Sequence, residues 1–159
     1  MPLQMYEGDL LQSTQPSLML GLNMRGQASA DPLESRLRDL YPVFFSEYRR
    51  LGRQGALQLG KLWFFKEATP WLIGAVVYPS HTSTLRLRHV EQVIVALYQQ
   101  HELENIEGIA LAPLGSSLEA DGLAFLLDEY LSNYPYQIDY YRRYFPDYPP
   151  SPVSYTPEG

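Results

Sequence analysis

Residues 108–119 read Gly-Ile-Ala-Leu-Ala-Pro-Leu-Gly-Ser-Ser-Leu-Glu. The first five are small or apolar without alternation, the pattern of a short strand buried on both faces. Pro113 closes the run, and Leu114-Gly115-Ser116-Ser117 form a loop. Over 118–131, Leu123, Leu126, Leu127 and Tyr130 then recur at helical spacing. Strand, Gly/Ser loop and helix make the repeating unit of a layered α/β protein. Such a loop also gathers free backbone N–H groups and the positive end of a helix dipole at one point, which suits a phosphate. Ser116 and Glu119 have capping-box spacing, so they could equally serve the helix alone. The loop lacks the lysine of a P-loop.

The same alternation extends outward. Upstream, residues 87–103 carry Val90, Val93, Ile94, Leu97 and Tyr98 at helical spacing. Before them, Lys61–Lys66 and Trp71–Val77 read as two strands joined through Thr69-Pro70, the pattern of a hairpin. Asp31-Pro32-Leu33-Glu34 is a helix start, with a capping residue and proline at the first position. Pro42 interrupts that helix, and a second apolar face follows with Phe44, Phe45, Tyr48 and Leu51 before Gly52. Residues 3–7 and 17–22 read as strands, and 136–141 as the last one. The expected fold is therefore α/β, three layers with a mixed β-sheet flanked by helices, in one domain over 1–145. The segment 146–159 holds five prolines; it is expected to be an extended Pro/Tyr-rich tail outside the core.

The 159 residues carry 45% hydrophobic and 19% charged side chains, a globular balance. A net charge of −6 disfavours non-specific binding of nucleic acid or anionic lipid. With no cysteine, disulfides, thiol nucleophiles and thiolate metal sites are excluded. His89 and His101 share no ligand spacing with a carboxylate cluster, so no metal site and no cofactor are expected. No apolar run nears the length of a membrane span and no secretory signal is visible, so the expected location is the cytoplasm. There are ten arginines but only two lysines, Lys61 and Lys66, which limits amine chemistry to those two places.

Three loops carry polar chemistry after strands. Glu7-Gly8-Asp9-Leu10 can aim a carboxylate at a ligand donor such as the amine of an adenine, or can be a turn in which Asp9 bonds its own backbone. Asn23 opens the loop 23–30 and can present an amide to a sugar hydroxyl, or make an Asx-turn. The third loop is 114–119. In such sheets, loops at strand C-termini gather at one edge and form the ligand cleft.

Taken in order, these stretches resemble the macro domain, the ADP-ribose-recognising module, and within it the branch that hydrolyses ADP-ribose from proteins or DNA. The resemblance runs from Tyr6 to about Tyr141. It rests on Tyr-Glu-Gly-Asp-Leu-Leu (6–11), Leu22-Asn23, the helix break at Tyr41-Pro42, Leu-Gly-Lys-Leu-Trp-Phe-Phe (59–65), Tyr-Pro-Ser-His (78–81) and Ile-Ala-Leu-Ala-Pro-Leu-Gly-Ser-Ser-Leu (109–118). The resemblance implies that Asp9 holds the adenine amine with Leu10 beside it, that Asn23 faces the distal ribose, and that Gly115, Ser116, Ser117 and Leu118 cradle the diphosphate. Tyr141 falls where an aromatic residue covers the adenine. Where the family has a first asparagine this chain has Leu20, and Ser117 stands for a glycine of the phosphate loop. The hydrolase branch has a lysine after the fourth strand and an acid after the phosphate loop; here these are His81 and Glu119.

The leading expectation is a module that binds ADP-ribose or a related nucleotide, free or on an ADP-ribosylated macromolecule. A second is an ADP-ribosyl hydrolase, with Glu119 activating water and His81 protonating the leaving group. A third is a protein-interaction module that has lost the ligand and contacts a partner through its C-terminal tail.

Overall fold

The computed structural model describes residues 3–115 and 120–154. Its elements are β1 (Leu3–Gly8), a 3-10 turn (Leu10–Gln12), β2 (Ser17–Asn23), α1 (Pro32–Leu40), α2 (Pro42–Arg53), β3 (Leu62–Phe65), β4 (Trp71–Tyr78), α3 (Leu87–Gln100), β5 (Ile109–Leu111), α4 (Ala120–Tyr130), β6 (Ile138–Tyr144) and β7 (Ser151–Val153). The strands form one mixed sheet in the order β3-β4-β2-β5-β6-β1-β7. The five central strands run parallel; β3 and β7 close the two edges antiparallel to their neighbours.

Strand β2 shows why the apolar runs become central strands. Leu18, Leu20 and Leu22 join one core with Leu33 and Leu37 of α1 and Phe44, Phe45 and Tyr48 of α2. Met19 points the other way, into a core shared with Val90, Val93, Ile94 and Leu97 of α3 and Leu123 and Leu127 of α4. A strand with helices on both sides buries every side chain, so alternation disappears from its sequence. The helices thus split two and two across the sheet, which is the expected three-layer α/β architecture.

On the α1/α2 face, aromatic packing is dense. Phe44 stacks on Trp63 at 4.6 Å and meets Phe65 edge-on at 5.3 Å. The loop after β2 is pressed onto α2 at a pair of glycines. Gly26 has φ +68°, and a Cβ on Gly52 would overlap the Arg25 carbonyl. Only glycine permits that approach, and it ties the position of the 23–30 loop to α2.

Two expectations are corrected at the C-terminal end. The strand expected over 136–141 runs instead from Ile138 to Tyr144, and it is not the last. It pairs in parallel with the whole of β1, from Leu3↔Ile138 to Gly8↔Tyr144, with an irregularity between Tyr6 and Glu7. Partner length, not local alternation, sets its end. Nor is the chain beyond Pro146 detached from the sheet. Ser151–Val153 add an antiparallel strand to β1, and Val153 packs against the core. Tyr155 and the rest of the segment to Gly159 lie outside the described residues. No helix among the described residues is long and apolar enough to cross a membrane.

Candidate functional site

The C-terminal ends of β2, β4 and β5 enclose a cavity of about 380 Å³, lined by Gly21, Asn23, Ser29, Ala30, Asp31, Glu34, Tyr78, Ser80, His81, Ser83, Pro113 and Gly115. That volume falls in the ordinary range of small-molecule sites. Parallel pairing creates it. Asn23 lies opposite Tyr78 in register, so the loops leaving β2 and β4 start side by side. Gly21 forms part of the floor, where a Cβ would come within 2.9 Å of Leu114 and 3.1 Å of Tyr78.

Asn23 is buried and organises the loop behind it. Its Oδ1 accepts from the backbone N–H groups of Arg25 (3.1 Å) and Gln27 (3.0 Å), and its Nδ2 donates to the Gln27 carbonyl (2.8 Å). Its own N–H donates to the buried Tyr48 hydroxyl at 2.8 Å. Three of the four hydrogen-bonding positions on the amide are thereby used, which leaves one amide hydrogen for a ligand. Asn23 thus makes the Asx-turn and also borders the cavity.

The far end of the loop is held by a carboxylate. Glu34 Oε2 accepts from Ser29 N–H at 2.7 Å and from Arg38 at 3.1 Å, while Arg38 also donates to the Ser29 carbonyl at 2.8 Å. Asp31, at the start of α1, borders the same cavity; desolvation raises its carboxyl from the ordinary value against the backbone N–H groups of Glu34 and Leu33, which act to lower it. Across the opening, His81 Nδ1 lies 2.7 Å from Gln27 Oε1. Ser80 N–H donates to Ser83 Oγ at 3.1 Å, closing that loop on itself. Gly115, with φ +66°, donates its N–H to the Tyr78 hydroxyl at 3.1 Å. Among the described residues, no arginine or lysine lines the cavity.

The structure therefore brings Asn23, His81 and Gly115 to one cavity, but not Asp9, Leu10 or Tyr141. Asp9 is buried, and both of its oxygens are engaged by backbone: Oδ1 accepts from Leu11 at 3.0 Å and Oδ2 from Asp147 at 3.0 Å. Its N–H donates to the Tyr148 carbonyl at 2.8 Å. The Leu10 side chain belongs to the core. Tyr141 is 1% exposed, stacked on Tyr6 at 5.5 Å, with its hydroxyl pushed up to about 12 chiefly by burial. The aromatic that ends β6 is Tyr144. Its hydroxyl is raised by burial first and then by Asp9, with Arg36 acting against the shift. Ser116, Ser117, Leu118 and Glu119 lie outside the described residues.

The sequence assigns no site role to Gln27, Tyr78 or Ser83, and presents Asp31 only as a helix cap. Tyr78 was detectable in principle, since it ends a strand as Asn23 does. Gln27 carries no local signal, because its partner lies 54 residues away. Among the described residues, no group of three histidines, aspartates or glutamates could hold a metal ion.

No protein-family model and no curated protein matches the chain. Solved structures do. The macrodomain of Thermus aquaticus DarG aligns over 91% of this chain and 98% of its own, with TM-score 0.77 and 19% identity. Thermosipho africanus DarTG, solved in complex with ADP-ribose, aligns over 92% of this chain and 42% of that one, with TM-score 0.79 and 18% identity. The macrodomain of Mycobacterium tuberculosis DarG aligns over 91% and 98%, with TM-score 0.75 and 18% identity. The chain has the macrodomain fold.

Proposed function

We propose that this chain binds ADP-ribose or a related nucleotide in the cleft at the C-terminal ends of β2, β4 and β5. The observation that carries the reading is the cavity of about 380 Å³ at that edge of the sheet, in a fold whose T. africanus neighbour was solved with ADP-ribose. Asn23 offers its remaining amide hydrogen to a sugar hydroxyl. With no arginine or lysine among the described residues of the cavity wall, a diphosphate depends on backbone N–H groups. The segment from Gly115 to Leu118, leading into α4, is the place for it.

A second reading has one supporting observation: His81 lines the cavity. In that reading the site cleaves an ADP-ribosyl bond, with Glu119 activating water.

Calorimetry with ADP-ribose tests the first reading. At a hundredfold excess over Kd, a single-site ligand stabilises the folded state by about 2.7 kcal/mol. For a chain of this length that is a rise in Tm of roughly 5–10 °C. Millimolar ADP-ribose producing neither heat nor a melting shift refutes it. Release of ADP-ribose from modified protein or DNA, lost in Glu119→Ala, would establish the second.

A further inference from the structure

The Gln27–His81 contact decides which nitrogen of the histidine meets a ligand. Gln27 Oε1 is 2.7 Å from His81 Nδ1 and 3.4 Å from the His81 backbone nitrogen. The backbone N–H can only donate, so the amide atom facing it must be the oxygen; a flipped amide would set donor against donor. An amide oxygen has no proton to give, so the hydrogen in the Nδ1 contact belongs to the imidazole. In the neutral ring, Nε2 then carries the lone pair. When the ring takes up a proton, it gains it at Nε2, and the bond to Gln27 is unbroken.

Gln27 can hold the ring because its own backbone is held. Asn23 clamps both its N–H and its carbonyl, at 3.0 and 2.8 Å. The residue before it, Gly26, is packed against α2 beside Gly52. A continuous path of hydrogen bonds thus leads from the end of β2, through Asn23 and Gln27, to the loop after β4. His81 is exposed, and the Gln27 contact sets the orientation of its ring.

We infer that Gln27 is a positioning residue that fixes His81 in its Nδ1–H form, so that Nε2 receives a hydrogen bond from a ligand hydroxyl or a water in the cavity. At neutral charge the ring is an acceptor there, and it becomes a donor only after Nε2 is protonated. The identity of the hydroxyl as a ribose hydroxyl rests on the nucleotide reading; the tautomer does not.

Long-range proton–nitrogen NMR of the full chain, at alkaline pH where the imidazole is neutral, tests this directly. The wild type is expected to show His81 Nδ1 protonated and Nε2 bare. Gln27→Ala, at unchanged fold by circular dichroism, should move the ring toward the Nε2–H form, and Gln27→Glu, which keeps an acceptor, should restore Nδ1–H. A wild-type spectrum with the proton on Nε2, or one indifferent to Gln27→Ala, overturns the inference. Adding ADP-ribose should shift the His81 Nε2 resonance of the wild type. Binding without such a shift overturns the acceptor role. A chain that binds no ADP-ribose overturns the nucleotide reading and the ribose assignment, while the spectrum of the free chain still decides the tautomer.

Discussion

Replacing Asn23 separates its structural from its ligand-facing work. Asn23→Ala deletes two acceptor bonds, to the N–H groups of Arg25 and Gln27, and one donor bond to the Gln27 carbonyl. At about 1 kcal/mol net for each bond, and with water reaching the loop more easily than the strand, the expected loss is about 2–3 kcal/mol. For a domain of this size that lowers Tm by roughly 5–10 °C. Asn23→Asp keeps both acceptor bonds but turns a carboxylate oxygen onto the Gln27 carbonyl at a buried site, so its cost should be at least the roughly 2–3 kcal/mol of the alanine variant. Urea denaturation followed by tyrosine and tryptophan fluorescence, with calorimetric melting as a check, measures both. Both variants should lose affinity for ADP-ribose, because each lacks the remaining amide hydrogen. The reasoning is refuted if Asn23→Ala unfolds at the wild-type midpoint, or if Asn23→Asp is as stable as the wild type.

Four further outcomes are expected. Tyr48→Phe strands the buried Asn23 N–H that its hydroxyl now accepts at 2.8 Å; a loss of about 1–3 kcal/mol in the same denaturation assay is expected. Gly21→Ala places a methyl 2.9 Å from Leu114 and 3.1 Å from Tyr78 on the cavity floor; it should cost about 1–3 kcal/mol and weaken ADP-ribose binding in a titration. Burial pushes the Tyr141 hydroxyl up to about 12, and raises Tyr48 and Tyr134 as well. Between about pH 10, where an unfolded tyrosine ionises, and pH 12, the unfolded chain holds fewer protons than the folded one. Stability should be intact below pH 10 and fall above it, by about 1.4 kcal/mol per pH unit for each such tyrosine, as pH-dependent melting would record. Truncation after Tyr144 removes β7 and bares the edge of β1. It should lower Tm and raise light scattering; an unchanged melt would show that the edge strand contributes nothing.

The site was half legible. Asn23, His81 and Gly115 each follow a buried strand closely, and parallel strands deliver their C-terminal loops to one edge, so strand recognition sufficed to gather them. Asp9 also follows a strand. What its sequence could not convey is that the Asp147 N–H approaches its second oxygen from 138 residues away. Tyr141 was misplaced for a related reason. Aromatic alternation over 136–141 looks complete in itself, whereas β6 continues for as long as β1 offers partners, to Tyr144 opposite Gly8.

Local periodicity was enough to determine the buried strands, the amphipathic helices and their alternating order, because each element's exposure pattern is printed in its own few residues. That order in turn restricted the chain to a layered α/β sheet. Tertiary structure alone decided which oxygen, nitrogen and hydroxyl meet: the seating of β7 on β1, the enclosure of Asp9, and the hydrogen bond between Gln27 and His81. Those contacts join segments far apart in the chain, and a hydrogen bond is set by distances of tenths of an ångström that no spacing of residues along a sequence encodes.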